Sequence, residues 1–131
     1  MTTPSNEQLV RDFFAAMGPT LAHFKDNFRQ RLADSVVWES VGRPPRHGRQ
    51  ACLDHLDYLK AAIGMEYCTI EILNIAVDGN VVLSERVDTM FTADNTPTHA
   101  IRIMGAVEVV DGQIVRYTDY LDTAPIVGSG I

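Results

Sequence analysis

The 131-residue sequence has few of the features that mark membrane, secreted or nucleic-acid-binding proteins. No run approaches the roughly twenty apolar residues that a helix needs to cross a bilayer. There is no long basic run, and the formal net charge of -6 disfavours binding to nucleic acid or to an anionic membrane. The start, "MTTPSNEQLVRDFF", lacks the basic and apolar segments of a signal peptide. We therefore expect a cytoplasmic protein.

Cysteine is scarce, and the usual motifs for metals and nucleotides are missing. Cys52 and Cys68 have a spacing that indicates no particular site. They could form a disulfide, but two reduced and packed thiols suit a cytosolic chain better. No two histidines have ligand spacing beside a carboxylate, and no glycine-rich phosphate loop follows a strand. The sequence therefore predicts neither a metal nor a cofactor.

The length and composition are those of a single globular domain. A chain with 46% hydrophobic and 21% charged residues is ordinary for a folded protein, and this length can bury a sizeable core. The sequence has no internal repeat, low-complexity tract or linker. We expect one domain over residues 1–131.

The first half of the chain has helical periodicity. Ser5 and Gln8 have the spacing of a capping box, and apolar residues then recur at helical intervals up to "GPT" (18–20). A second amphipathic helix precedes a β-type run, "DSVVWESV" (34–41), and the loop "GRPPRHGR". A third helix is predicted to end at Gly64.

The second half consists of β-type runs separated by turn signals. The four predicted strands are "YCTIEILNIAV", "VVLSERVDTMFT", "HAIRIMGAVEVV" and "QIVRYTDYLD". The "DGN" and "DGQ" tripeptides between neighbours are typical of tight turns. Helices followed by an antiparallel meander predict an α+β fold with helices against one face of a curved sheet.

Two of these strands place charged residues in otherwise apolar rows. In "VVLSERVDTMF" (81–91), Arg86 and Asp88 share one side, because side chains alternate along a strand. Asp119 shares a row with Val115, Tyr117 and Leu121. A buried carboxylate needs a partner, and one guanidinium can bridge two of them. The pattern indicates a buried Asp88–Arg86–Asp119 arrangement with one general acid and one general base, or else an ordinary surface ion pair.

"SERVD", the later "DGQIVRYTDYLD" and the loop "PPRHGR" together resemble the limonene-1,2-epoxide hydrolase family. This family lies within the NTF2-like superfamily, which includes ketosteroid isomerase and SnoaL-like proteins. The resemblance implies three N-terminal helices packed on a curved, mainly antiparallel mixed sheet in a cone-shaped fold. It also implies a homodimer, no cofactor, and one-step addition of water to an epoxide.

The resemblance assigns roles to five positions. Asp119 would take a proton from water, Asp88 would protonate the opening epoxide oxygen, and Arg86 would hold both carboxylates. The family also holds its water with a tyrosine and an asparagine, where this sequence has Trp38 and Ser40. A tryptophan has only one N–H donor, so we expect Trp38 to line and narrow the pocket, and Ser40 or a polar group elsewhere to help hold water.

We expect the pocket to be apolar and to accept a small or medium apolar epoxide, which would yield a vicinal diol. Its predicted walls include Val36, Leu56, Leu59, Met90, Met104 and Leu121. Two other functions fit the same fold: an isomerase or epoxide-opening cyclase of the SnoaL or ketosteroid isomerase type, and a non-enzymatic binding or dimerisation module. Tyr117 and Tyr120 are expected mainly to pack, "GRPPRHGR" to form a stiff basic loop, and the tail "APIVGSGI" to dock somewhere.

Overall fold

The computed structural model describes residues 4–129 and 131. The elements, in chain order, are α1 (Asn6–Ala15), α2 (Leu21–Arg31), β1 (Leu32–Ser40), β2 (Arg46–His47), α3 (Arg49–Ile63), β3 (Tyr67–Asp78), β4 (Val81–Phe91), β5 (Pro97–Val110), β6 (Gln113–Leu121) and a short 3-10 helix (Ala124–Ile126). The predicted order of helices and strands is confirmed, with two additions: β2 lies within the predicted loop "GRPPRHGR", and the 3-10 helix lies in the tail. Across the described residues, no helix combines the length and apolarity needed to span a membrane.

The helix ends follow the predicted signals with one difference. Ser5 Oγ accepts the Gln8 backbone N–H at 3.1 Å and caps α1. The Gln8 side chain bonds Asp12 instead of returning to the cap, so only half of the capping box forms. Helix α3 ends at Gly64, whose φ of 72° is the left-handed conformation that glycine adopts without strain.

The sheet has six strands in the order β2-β1-β6-β5-β4-β3. Strands β3 to β6 pair antiparallel with their neighbours, as the meander predicted, while β1 pairs parallel with β6. The sheet is therefore mixed, and the predicted α+β class is confirmed. The parallel pairing has a consequence for function, because it places the end of β1 beside the end of β6.

Helices α1, α2 and α3 cover one face of this sheet and enclose an aromatic core. The Phe13 ring lies 5.7 Å from Phe28 and 5.4 Å from Tyr117, and Phe28 lies 5.4 Å from Trp38. Stacked and edge-on contacts of this kind add to the free energy gained from burial alone. The core thus joins two helices to β1 and β6.

Two of the predicted wall residues lie elsewhere. Met104 is 52% exposed, because it alternates with the inward-facing Ile103 and Gly105 and therefore points away from the helices. Val36 is completely buried in the core and does not reach the cavity wall. The error at Met104 comes from assigning a face without knowing the side to which its strand is turned, whereas Val36 lies on the helix-facing side, in the row of Trp38, and packs within the core.

The apolar row of β6 also differs from strict alternation. Ile114 belongs to the core, whereas Val115, predicted to share the row of Tyr117, does not. The pairing of β6 shifts register against β5 between Glu108 and Val109, and against β1 between Leu32 and Val37. An irregularity of this kind changes the side on which later residues fall.

Candidate active site

The structure brings Arg86, Asp88 and Asp119 together as a buried group, referred to below as the Arg86 cluster. Arg86 Nε and Nη2 donate to the two carboxylate oxygens of Asp88 at 3.1 and 3.0 Å. Nη2 also donates to Asp119 Oδ1 at 3.0 Å, and Nη1 donates to Ser84 Oγ at 3.3 Å. The Arg86 side chain is completely buried. The predicted buried arrangement is thus present, and the alternative of a surface ion pair is wrong.

Strand β5 lies between the two strands that carry the cluster, and its glycine makes the contact possible. Gly105 pairs with Ser84 on one side and with Asp119 on the other. A Cβ atom at Gly105 would lie 2.7 Å from Asp119 Oδ1 and closer still to Arg86 Nη1. Only a residue without a side chain lets Arg86 extend across β5. Sequence reasoning missed Gly105, although a glycine inside a strand is a signal for close approach.

Arg86 remains a cation in the interior because its partners outweigh the effect of burial. Burial acts to lower the pKa of Arg86, but the carboxylates of Asp119 and Asp88 raise it well above its usual range. The guanidinium carbon also lies 4.4 Å from the ring centroid of Phe14, a favourable cation–π contact. Arg86 is therefore a permanent positive charge between the two carboxyl groups.

The two carboxyl groups have different surroundings. Burial raises the pKa of Asp119 from 3.8 to about 6, with Arg86 lowering it and Asp88 raising it again. Asp88 accepts a two-point contact from Arg86, while Asp119 accepts one hydrogen bond. Asp119 can thus gain or lose a proton close to neutral pH, which suits a group that exchanges protons with a substrate.

Both carboxyl groups border a mostly apolar cavity with an empty volume of about 770 Å³, including its opening to solvent. The sequence-predicted site and wall residues that line it are Trp38, Ser40, Leu56, Leu59, Asp88, Met90, Asp119 and Leu121. The predicted docking of the tail is also found, since Ile126 and Ile131 line the same cavity. An apolar cavity with a few convergent polar groups is the usual form of a small-molecule site.

Ser40 and Trp38 of β1 and Tyr117 of β6 line the same cavity as Asp119. Ser40 pairs directly with Asp119 in the parallel register. Trp38 stacks on Tyr117, with ring centroids 5.4 Å apart and planes 5° from parallel. The Trp38 Nε1 atom is buried and has no hydrogen-bond partner in the described part of the chain. Tyr117, which was expected mainly to pack, is itself a cavity residue.

Further basic residues that sequence reasoning left without a role also line the cavity. They are Arg43 and Arg46 of the Pro-Pro loop and His55 of α3. The Arg46 guanidinium carbon lies 4.6 Å from the Trp38 ring centroid, and His55 meets the same ring edge-on at 5.3 Å. Burial, followed by the charges of Arg46 and Arg43, lowers the pKa of His55 to about 4, so that this imidazole is neutral at pH 7.

The cysteines have the properties of packed thiols. Cys52 and Cys68 are both free. Burial raises the pKa of Cys52 to about 11 and that of Cys68 further, which suppresses the reactive thiolate. Among the residues that the structure describes, no group of three histidine, cysteine, aspartate or glutamate side chains could hold a metal ion.

Comparison with known proteins identifies the family. Residues 4–129 match the family model of the limonene-1,2-epoxide hydrolase catalytic domain. The chain is 31% identical over 98 residues to the epoxide hydrolase EphG of Mycobacterium tuberculosis strain H37Rv. That alignment covers 74% of this chain and 62% of EphG, so the chain spans less than two thirds of the length of this relative.

Solved structures agree with this assignment. An LEH-like epoxide hydrolase from M. tuberculosis superposes with a TM-score of 0.72 at 26% identity, over 98% of this chain and 88% of the other. A protein assigned as a SnoaL-like polyketide cyclase from Jannaschia sp. CCS1 has a TM-score of 0.75 at 13% identity, over 98% and 96%. NTF2-like proteins also superpose along most of their length. The chain therefore belongs to the limonene-1,2-epoxide hydrolase family and has the NTF2-like fold of its wider superfamily.

Proposed function

We propose that the protein is an epoxide hydrolase that adds water to an epoxide with an apolar body and yields a vicinal diol without a cofactor. The observation that carries this proposal is the Arg86 cluster, in which one buried cation holds two carboxyl groups at the wall of an apolar cavity. Epoxide opening needs a proton for the leaving oxygen and a base for the attacking water. The cluster offers both groups without the need for a metal.

In the proposed reaction, Asp119 removes a proton from a water molecule while the water oxygen forms a bond to an epoxide carbon. The C–O bond of the ring breaks, and Asp88 gives its proton to the departing oxygen. Asp119 then holds the proton taken from water and Asp88 is ionised, so transfer of a proton from Asp119 to Asp88, within the cluster or through solvent, restores the starting state. Arg86 keeps both groups in position, which lowers the entropic part of the barrier.

The attacking water needs hydrogen-bond partners besides Asp119. We propose that the Ser40 and Tyr117 hydroxyl groups supply them, because both residues border the cavity beside Asp119. Trp38 lacks an acceptor and forms a flat wall against Tyr117. Met90 and Leu121 would then contact the apolar body of the substrate.

The decisive experiment is turnover of a panel of epoxides in ¹⁸O-labelled water. A hydrolase incorporates one labelled oxygen into the diol, and Asp88→Asn and Asp119→Asn should each abolish that product while the chain remains folded. Near-normal turnover by either variant would contradict the two-carboxyl mechanism.

The same panel separates the other functions. An isomerase or cyclase of the SnoaL or ketosteroid isomerase type gives a rearranged product without label, and a binding module gives no product. The loss of the family's tyrosine and asparagine at Trp38 and Ser40 is the sequence feature that favours these alternatives. Retention of both carboxyl groups in one buried cluster favours hydrolysis over them.

We also propose that the protein is a cytoplasmic homodimer. Its two thiols are free, as is usual in a reducing compartment. Leu83, Met104 and Tyr120 expose large apolar side chains, 40%, 52% and 58% accessible, on the sheet face that the helices leave open. A second copy of the same chain would cover this face in the two-fold arrangement that most homodimers adopt.

A further inference from the structure

The cavity has a charged end that the hydrolysis reaction does not use. Arg43 and Arg46 line this end, beside Trp38 and the neutral His55, and they are referred to below as the basic end. Within the described residues, neither arginine forms a salt bridge with an aspartate or glutamate. Arg46 Nη1 is buried and has no hydrogen-bond partner among those residues. A cation in this state is energetically costly unless something else satisfies it.

The charges around the cavity do not balance. Arg86 contacts both Asp88 and Asp119, so two carboxyl groups face one cation there. Arg43 and Arg46 remain as two further positive charges at the same cavity. Burial lowers the pKa of Arg46 and the charge of Arg43 lowers it further, while Cys52, Tyr117 and Asp119 act to raise it.

We propose that the basic end binds an anionic group of the substrate, so that the epoxide which this protein hydrolyses carries a carboxylate on its apolar body. The proposal rests on the proposed function and specifies its substrate class. Arginine suits this role because its planar N–H groups match the two oxygens of a carboxylate. Apolar residues of the same cavity, among them Leu56, Met90 and Leu121, would hold the body of the molecule with its epoxide ring near Asp119.

An oxygen acceptor already lies within reach of one of these arginines. Arg43 Nη2 donates to the main-chain oxygen of Ile131 at 2.7 Å, and Ile131 itself lines the cavity. This contact shows that the edge of the basic end accommodates an oxygen acceptor. Arg46 has no corresponding partner, and its stacking on Trp38 holds the guanidinium in place without neutralising its charge.

Binding of unreactive probes tests the proposal without any need for turnover. Hexanoate and hexanamide have nearly the same shape and differ in charge. With an anion site, hexanoate should bind roughly tenfold or more tightly than hexanamide in calorimetry at pH 7.5 and low salt, because hydrogen bonds to a charged group are the stronger ones. In an apolar cavity without such a site, loss of carboxylate hydration makes hexanamide the equal or better ligand, and that result would overturn the proposal.

Variants of Arg46 and Arg43 test whether the preference for hexanoate over hexanamide depends on the basic end. Arg46→Met keeps an unbranched side chain against Trp38 and removes the charge, so it should abolish the preference for hexanoate, while Arg46→Lys should keep part of it. Arg29→Met is the matched control, because Arg29 is an exposed arginine on α2 that pairs with Asp26. A preference that survives Arg46→Met together with Arg43→Met contradicts the proposal.

His55 gives a spectroscopic readout that does not depend on any variant. Hexanoate is mostly protonated near pH 4, so hexanesulfonate, which stays ionised there, is the probe for this titration. Bound at the basic end, it would offset the positive charges that lower the pKa of His55. Titration by NMR should therefore show the pKa of His55 rising from about 4 when hexanesulfonate is bound, and no such change with hexanamide. An unchanged titration with bound hexanesulfonate would place the anionic group elsewhere and refute the site.

Turnover separates failure of this proposal from failure of the proposed function. A terminal epoxide of a medium-chain carboxylic acid and the corresponding amide form the test pair. Hydrolysis of both at equal kcat/KM supports the hydrolase and refutes the anion site. A clear preference for hexanoate in binding, with no epoxide hydrolysed, supports the anion site and refutes the hydrolase.

Discussion

At the scale of single residues, Arg86 and Asp119 illustrate opposite responses to burial. Arg86 keeps its charge because two carboxyl groups contact it, whereas burial moves the pKa of Asp119 upward to about 6. The native protein must therefore hold an ionised Asp119 above that pH at a cost in stability. A site that needs a base near neutral pH benefits from this property, because proton transfer is most efficient when the pKa lies near the working pH.

Replacement of this carboxyl group should stabilise the fold. Asp119 has a folded-state pKa of about 6 against an ordinary 3.8, so its ionisation opposes folding as pH rises through that interval. At pH 8, Asp119→Asn should raise the free energy of unfolding by about 2 to 3 kcal/mol. This figure follows from the upward shift of the Asp119 pKa, because each pKa unit corresponds to about 1.4 kcal/mol. Urea unfolding at a series of pH values measures the difference. The gain should shrink as pH falls from 6 towards 4, and a gain independent of pH would contradict this explanation.

The same pKa predicts the acid limb of the rate profile. Only ionised Asp119 can remove a proton from water. We therefore expect kcat/KM for the best epoxide to decrease at pH values under about 6, with the slope of a single protonation. Steady-state rates between pH 4.5 and 8 provide the measurement. A rate that stays constant down to pH 4.5 would assign the base to another group.

Gly105 of β5 leaves room for the contact between Arg86 of β4 and Asp119 of β6, and its replacement should disturb that contact. Gly105→Ala would force Arg86 and Asp119 apart, since the new Cβ overlaps both side chains. We expect a loss of about 1–3 kcal/mol in stability, typical of overpacking, and a loss of activity by roughly a hundredfold or more. Ala100→Ser, which adds one atom at an exposed position of the same strand, is the control. Unchanged kcat in Gly105→Ala would show that the Arg86–Asp119 contact is dispensable.

At the scale of elements, the parallel pairing of β1 with β6 determines which polar groups surround Asp119. Ser40 lies opposite Asp119 because the two strands run in the same direction and end at the same edge. Periodicity within either strand could not reveal this pairing, since β1 and β6 are separated by most of the chain. The resemblance to a known family implied that Ser40 lies near the water activated by Asp119, and the structure shows the pairing and its register.

Ser40→Ala and Tyr117→Phe should each lower kcat about tenfold or more with a smaller change in KM, because each removes a hydroxyl group proposed to hold the attacking water. Trp38→Phe should instead alter KM, because it changes the shape of the wall. Ser35→Ala, at an exposed position of β1, is the matched control. If Ser40→Ala and Trp38→Phe both leave turnover of the true substrate unchanged, the proposed positions of water and wall are wrong.

At the scale of the whole molecule, the sheet has one face under the helices and one face open. Met104, predicted as a wall of the pocket, belongs to the open face together with its paired neighbour Tyr120. Met104→Lys should convert the proposed dimer to a monomer, because it buries a charge at the centre of the contact. Sedimentation velocity gives the mass, and Arg29→Met on the helical side serves as the control. A wild-type protein that is already monomeric at micromolar concentration would exclude this interface.

The sequence by itself determined the order and type of the helices and of the longer strands. These properties depend on neighbouring residues through helical spacing, alternation and turn chemistry. Alternation and the cost of a buried charge raised the arrangement of Arg86 between Asp88 and Asp119 beside the alternative of a surface ion pair, and the family resemblance favoured the buried cluster. The tertiary structure alone decided which side of β4 faces inward and which further residues share the cavity. Register shifts placed Ile114 in the core in place of Val115, and the path of the Pro-Pro loop brought Arg46 to the cavity. Such contacts join residues far apart in the chain, and they depend on strand register and loop geometry, which local periodicity does not encode.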